Sequence, residues 1–198
     1  MSSEGLYFPA DKALIAMGNT SRRWQNHFEM NKVFVPEGVK SVASRGPGRG
    51  RLRQLSLETV VQGAIAFALI DCGVDVREAY WAGAQFAYYG QQPNPNQIQP
   101  RSAHIRAPGK LFAVGETYLI FANEGTERQK SRLAIVSDAD SMFDLKKRDS
   151  VPGAVIGAVE GRGAAPRIVL NLSDTCGQIA ASLGLSFAAV FLSEVDNG

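Results

Sequence analysis

Residues 38–54 read GVKSVASRGPGRGRLRQ, and this run restricts the fold more than any other part of the chain. It holds four glycines, one proline and four arginines in 17 positions. Glycine has nothing to bury, and arginine is kept at the surface by its charge, so the run cannot build a core. What it can build is a β-hairpin with a flexible, charged tip. Its neighbours differ from it. Lys32–Pro36 (KVFVP) before it is a short β-like run, and Ser56 after it is a helix cap. The helix that follows, LETVVQGAIAFALIDC, closes at Gly73, and Leu57, Val60, Val61, Ala64, Ile65, Ala68 and Leu69 mark its buried face.

Upstream, Phe8–Met17 reads as a helix with Asp11 as N-cap and Ala13, Leu14, Ala16 and Met17 on one face. Gly18 ends it. Thr20 or Ser21 caps a second helix running to about Met30, with Trp24 and Phe28 four residues apart and directed at a core. Two short helices joined by a tight Gly-containing turn have the anatomy of a helix-turn-helix. Downstream, Val74–Tyr89 reads as a further helix with Ala79, Trp81, Ala82, Phe86 and Ala87 as core candidates.

The composition changes at Gln91–Arg101 (QQPNPNQIQPR), which reads as a linker or long exposed loop. Beyond it, Leu111–Gly115, Thr117–Ala122, Arg132–Ser137, Ala154–Glu160 and Arg167–Leu172 look like strands separated by turn material. Ser173 or Asp174 caps a helix through Leu183, and Phe187–Leu192 is open to a last strand or a helical tail. The expected class is α+β. Residues 1–90 form a helical domain with a hairpin, 91–102 a linker, and 103–198 a β-rich domain with a terminal helix.

Of 198 residues, 45% are hydrophobic and 20% charged, which excludes a disordered chain. The longest apolar run, Ala64–Ile70, falls far short of the ~20 residues that cross a bilayer. The N-terminus lacks the basic start and apolar stretch of a secretory signal. Cys72 and Cys176 are too few for a disulfide framework, so a cytoplasmic setting is expected. With His27 and His104 as the only histidines, a four-ligand zinc site is not expected, nor is a cofactor.

The formal net charge of +2 conceals an asymmetry. Residues 1–106 carry 12 basic and 8 acidic side chains, a net of +4, and residues 107–198 carry 9 and 11, a net of −2. Within Thr20–Leu55, Arg22, Arg23, Lys32, Lys40, Arg45, Arg49, Arg51 and Arg53 face only Glu29 and Glu37, a net of +6. A solvated surface is the plain explanation of such a run, and a polyanion partner the alternative.

Five pieces in order decide how that charge is read. Gly18-Asn19-Thr20-Ser21-Arg22 opens the second helix, and VFVP follows it. An arginine-rich hairpin comes next, then Leu52-Arg53-Gln54-Leu55-Ser56. Asp71-Cys72-Gly73-Val74-Asp75-Val76-Arg77-Glu78 joins the last two helices. Over residues 7–89 this resembles the MerR-like winged helix-turn-helix family, which places Arg53 at the family's wing arginine. The departures are Asn26-His27-Phe28 with Glu29 one place late, leucines for the wing tyrosines, and a longer, more arginine-rich wing.

The resemblance implies a DNA-binding transcriptional regulator, nucleoid-associated, acting on double-stranded DNA as a homodimer paired through the C-terminal half. Thr20 and Ser21 would meet phosphate at the helix start, Arg22 and Arg23 would contact guanine, and Gln25 and Asn26 would contact adenine. Lys40, Arg45, Arg49, Arg51 and Arg53 would lie along the backbone or minor groove. An architectural DNA-binding protein with little sequence preference is the alternative. The long dimerising helix and cysteine set of the metal-sensing members are absent, so a metal site is not carried over. The C-terminal half is left to pair protomers, bind an effector or bind another protein. Plainer roles stand beside these: Arg23 as a salt-bridge partner, Trp24 and Phe28 as core, His27 as a packed histidine. An enzyme is not expected. Asp138, Asp140 and Asp144, with Glu160 near a turn, are the nearest thing to a catalytic group and read more simply as a solvated loop.

Overall fold

The computed structural model describes residues 5–18, 21–30, 32–40, 42–45, 52–91, 105–122, 132–139 and 167–192. It is of mixed α+β class, and all its strand pairing is antiparallel. The chain divides into two compact units, residues 1–88 with 175–190 and residues 89–174 with 191–198.

The first unit opens with a short strand β1 (Tyr7–Pro9) and helix α1 (Ala10–Ala16). The sequence points to Asp11 as the cap, but the helix starts two residues earlier. Pro9, with φ −51° and ψ 140°, occupies the N-cap without a side-chain bond, and Asp11 lies in the first turn. Proline tolerates that place because its missing N–H has no helical partner there, and Asp11 still favours the positive end of the helix. Gly18, at φ +70°, turns the chain out of α1, and α2 (Ser21–Glu29) follows.

The hairpin is formed by β2 (Val42–Arg45) and β3 (Leu52–Ser56), with Val42 opposite Leu55 and Arg45 opposite Leu52. β1 adds to the other side of β3, Tyr7 opposite Ser56, giving the order β1-β3-β2. KVFVP, which reads as a strand, is not one. The Phe34 carbonyl accepts a 2.6 Å bond from the Gln62 side chain, so a helix rather than a neighbouring strand satisfies it. The paired residues lie within the glycine- and arginine-rich run, where a hairpin is expected.

Helix α3 (Leu57–Asp71) is capped by Ser56, whose Oγ accepts from the Thr59 amide at 3.3 Å. The expected stripe is too narrow: every residue from Thr59 to Phe67 is buried, so α3 is the central helix of the unit. Helix α4 (Val76–Ala87) is capped by Asp75, which accepts from the Arg77 amide at 2.8 Å. It buries Ala79, Tyr80, Ala82, Phe86 and Ala87, whereas Trp81, a core candidate by sequence, is exposed. Close approach of α3 and α4 needs Gly83: a Cβ there would lie 2.6 Å from the Gln62 carbonyl oxygen.

The second unit holds a sheet of order β5-β4-β6, formed by β4 (Thr117–Ala122), β5 (Arg132–Ser137) and β6 (Arg167–Asn171). Central β4 is buried on both faces apart from the half-buried Tyr118. Leu111 and Phe112 are buried but form no strand; their amides donate to the Phe191 carbonyl and the Thr117 hydroxyl. Arg106 is 2% exposed, and its guanidinium donates to Gln91 Oε1 and to the carbonyls of Tyr89, Ala107 and Lys110. Helix α5 (Leu172–Leu183) follows β6, and Phe187–Phe191 is a short helix, α6, rather than a strand; residues 175–190 of this stretch belong to the first unit. The strand expected over Ala154–Glu160 and the linker residues 92–102 lie outside the described residues. No described helix is long and apolar enough to cross a membrane.

Candidate nucleic-acid interface

Helix α2 has three faces, and its sequence sorts side chains among them by the helical period. Inward, Trp24 is buried and stacks on Phe28 with ring centroids 5.0 Å apart. These two make the core contact that their spacing predicts.

On the flank, Arg23 and His27 stand one turn apart and meet α3 and α4. The Arg23 guanidinium lies 5.2 Å above the Phe67 ring and 2.9 Å from the Asp71 carboxylate. His27 stacks on the same Phe67 ring at 5.7 Å and meets Tyr80 edge-on at 5.7 Å, with Nδ1 3.2 Å from the Tyr80 hydroxyl. Burial raises the Tyr80 phenol above its ordinary value, so Tyr80 keeps its O–H, and the direction of the bond follows the imidazole tautomer. Burial, and then the charges of Arg23 and Lys32, lower the His27 pKa from 6.5. His27 is therefore a neutral packed residue, and Arg23 the cation of an ion pair that holds α2 against α3. Asp71, Phe67 and Tyr80 are the partners that sequence reasoning did not assign.

Outward stand Arg22, Gln25, Asn26 and Glu29, spaced i, i+3, i+4, i+7, all exposed. The sequence reading assigns Glu29 no contact. Its Oε1 accepts a 2.7 Å bond from Gln25 Nε2, an i, i+4 pair that the spacing alone could have flagged. Ser21 is the first residue of α2. Lys40 is exposed on the approach to the hairpin, and its carbonyl accepts from the Tyr7 hydroxyl at 3.0 Å. Arg45 ends β2, and Arg53 lies opposite Ser44 in β3. Thr20, Arg49 and Arg51 lie outside the described residues. The structure thus unites Arg22, Gln25 and Asn26 on one face, turns Arg23 to another, and puts Arg45 and Arg53 on the paired strands next to the tip.

The acidic residues of the second unit have local uses. Asp138 Oδ1 accepts from the Glu116 amide at 2.8 Å, and Glu116 Oε2 accepts from the Tyr118 hydroxyl at 2.7 Å and from Asn171 Nδ2 at 2.8 Å. Burial, followed by the bond to Glu116 and the charges of Glu116, Asp138 and Asp174, raises the Tyr118 pKa. Asp140, Asp144 and Glu160 lie outside the described residues. The chain matches no family model and no curated protein.

Proposed function

We propose that residues 1–90 form a MerR-like winged helix-turn-helix that binds double-stranded DNA and acts in transcriptional regulation as a homodimer on a two-fold symmetric site. The observation that carries this reading is the outward polar face of α2. Arg22, Gln25 and Asn26 project from a helix whose other sides are occupied by packing, and an antiparallel hairpin bearing Arg45 and Arg53 follows it in the chain. Helix α2 enters the major groove with that face toward the base edges. The hairpin is the wing, whose arginines neutralise phosphates and release counterions. Arg23, paired with Asp71 and laid over Phe67, fixes the rotation of α2 in this reading instead of contacting guanine. The C-terminal half pairs protomers, so the two recognition helices meet half-sites about one helical turn apart.

The test is fluorescence anisotropy of the full chain on duplex DNA over a range of salt. Replacing Arg49, Arg51 and Arg53 with alanine is expected to weaken binding to every duplex and to reduce the slope of log K against log salt by about 0.9 for each phosphate no longer neutralised. Unchanged affinity and slope in the triple variant would refute the wing assignment. Failure of the unaltered chain to bind any duplex would refute the whole reading.

A further inference from the structure

Resting on that DNA-binding reading, the geometry points to Glu29 as the positioning residue that makes α2 prefer adenine over guanine, by holding the carboxamide of Gln25. The two side chains are one turn apart on the exposed face of α2. Gln25 Nε2 donates to Glu29 Oε1 at 2.7 Å. An ionised carboxylate only accepts hydrogen bonds, so the nitrogen end of the amide must face it and the oxygen end must point away. A charged acceptor also makes this bond stronger than a neutral one.

A free glutamine amide has two N–H donors and one oxygen, and it can turn to suit several bases. With one N–H held by Glu29, Gln25 offers one N–H and one oxygen. That pair complements the major-groove edge of adenine, which presents the N7 acceptor and the N6 amino donor. Guanine presents two acceptors, N7 and O6. It would need both N–H groups of Gln25, or would set the amide oxygen against a carbonyl oxygen. The carboxylate of Glu29 also repels phosphate, which turns this end of α2 toward the groove floor rather than the backbone. Arg23 and His27 support the arrangement from behind. Their contacts with Phe67, Asp71 and Tyr80 fix the rotation of α2, so Gln25 and Glu29 are presented together.

The experiment uses the full-length chain and three variants, Gln25→Ala, Glu29→Ala and Glu29→Gln. A randomised duplex library is selected with the unaltered chain. Affinities are then measured by anisotropy at one salt concentration on the selected duplex and on a duplex with A·T changed to G·C at the Gln25-dependent position. The unaltered chain is expected to prefer A·T there by about 10- to 100-fold. Gln25→Ala should abolish that preference. Glu29→Ala should bring it close to parity, mainly by improving binding to the G·C duplex. Glu29→Gln, whose amide oxygen can accept the same N–H, should retain it. Loss of one carboxylate raises affinity for both duplexes alike, so the ratio of the two affinities is the quantity read.

The inference is overturned if Glu29→Ala keeps the full preference, or if Glu29→Gln loses it as Glu29→Ala does. It is also overturned if the substitutions shift both duplexes equally, as a purely structural role would. If the unaltered chain binds all duplexes alike, the base-reading inference fails while DNA binding stands. If it binds none, both fail together.

Discussion

Gly83 is where the first unit can be tested most sharply. Replacing a helical glycine with alanine favours folding by about 1 kcal/mol on propensity alone. At Gly83 that gain is opposed, because the new Cβ would lie 2.6 Å from the Gln62 carbonyl oxygen and 3.2 Å from its Cα. Those atoms are backbone of α3 and cannot rotate away. The helices must part by roughly 1 Å to restore an ordinary contact, in the most buried part of the unit. Overpacking of this kind costs about 1–3 kcal/mol, and an unyielding neighbour puts it at the upper end, so the net loss is about 1–2 kcal/mol. For a unit of this size each kcal/mol lowers the melting temperature by about 4 °C.

Gly177 of α5 is the internal control, since no described heavy atom lies within 4 Å of a Cβ placed there. Gly177→Ala should raise stability by as much as about 1 kcal/mol. Gly63→Ala should fall between the two, because the group it meets is the flexible end of Met17. Thermal melts followed by circular dichroism give all three. The packing account is refuted if Gly83→Ala is as stable as the unaltered protein, or if Gly83→Ala and Gly177→Ala shift in the same direction.

Other consequences follow from single contacts. The native state holds His27 below its unfolded pKa of 6.5, so it resists protonation that the unfolded chain accepts. That part of the stability is complete above pH 6.5 and is lost as the pH falls below it; urea midpoints at pH 7.5 and 5.5 should show a steeper loss for the unaltered chain than for His27→Gln, and equal slopes would contradict it. Ser56→Ala removes the acceptor for the Thr59 amide and should cost about 1 kcal/mol in equilibrium unfolding, whereas no loss would deny the cap its role. Arg106→Lys replaces a planar five-donor fork that serves four acceptors by a single ammonium, so the second unit should lose about 2 kcal/mol or more, and hydrogen exchange unchanged in β4 would refute this.

What is legible in the sequence depends on range. Gly18, Ser56 and Gly73 punctuate the chain through their own backbone and neighbouring amides, so the ends of α1 and α3 can be read from a few residues. Gln25 and Glu29 belong to the same local class, and the i, i+4 rule pairs them. Trp24 and Phe28 are legible for the same reason. The misread strand at Lys32–Pro36 shows the other case. Its apolar alternation suits a sheet, but Gln62 takes the Phe34 carbonyl across 28 residues, and β3 finds its partners elsewhere. Hydrophobicity assigns Trp81 to the core, although the packed faces of α4 are set by where α3 lies. Arg23 and Asp71 are 48 positions apart, and nothing in either neighbourhood tells which of several acidic residues Arg23 meets. Spacing foresees the outward face of α2; the flank of the same helix needs the tertiary contacts.

The order β1-β3-β2 places a strand from the beginning of the chain against one that forms only after the hairpin turn. During synthesis β1 has no partner until residues 52–56 have left the ribosome, so the three-stranded sheet closes late. In the finished protein residues 7–9 cover one side of β3. Clipping them, or crowding them with an appended sequence, turns the middle strand into an open edge, and open edges pair with other chains. Residues 7–9 therefore serve as a guard on the hairpin base, and preparations without them should be watched for association through that strand.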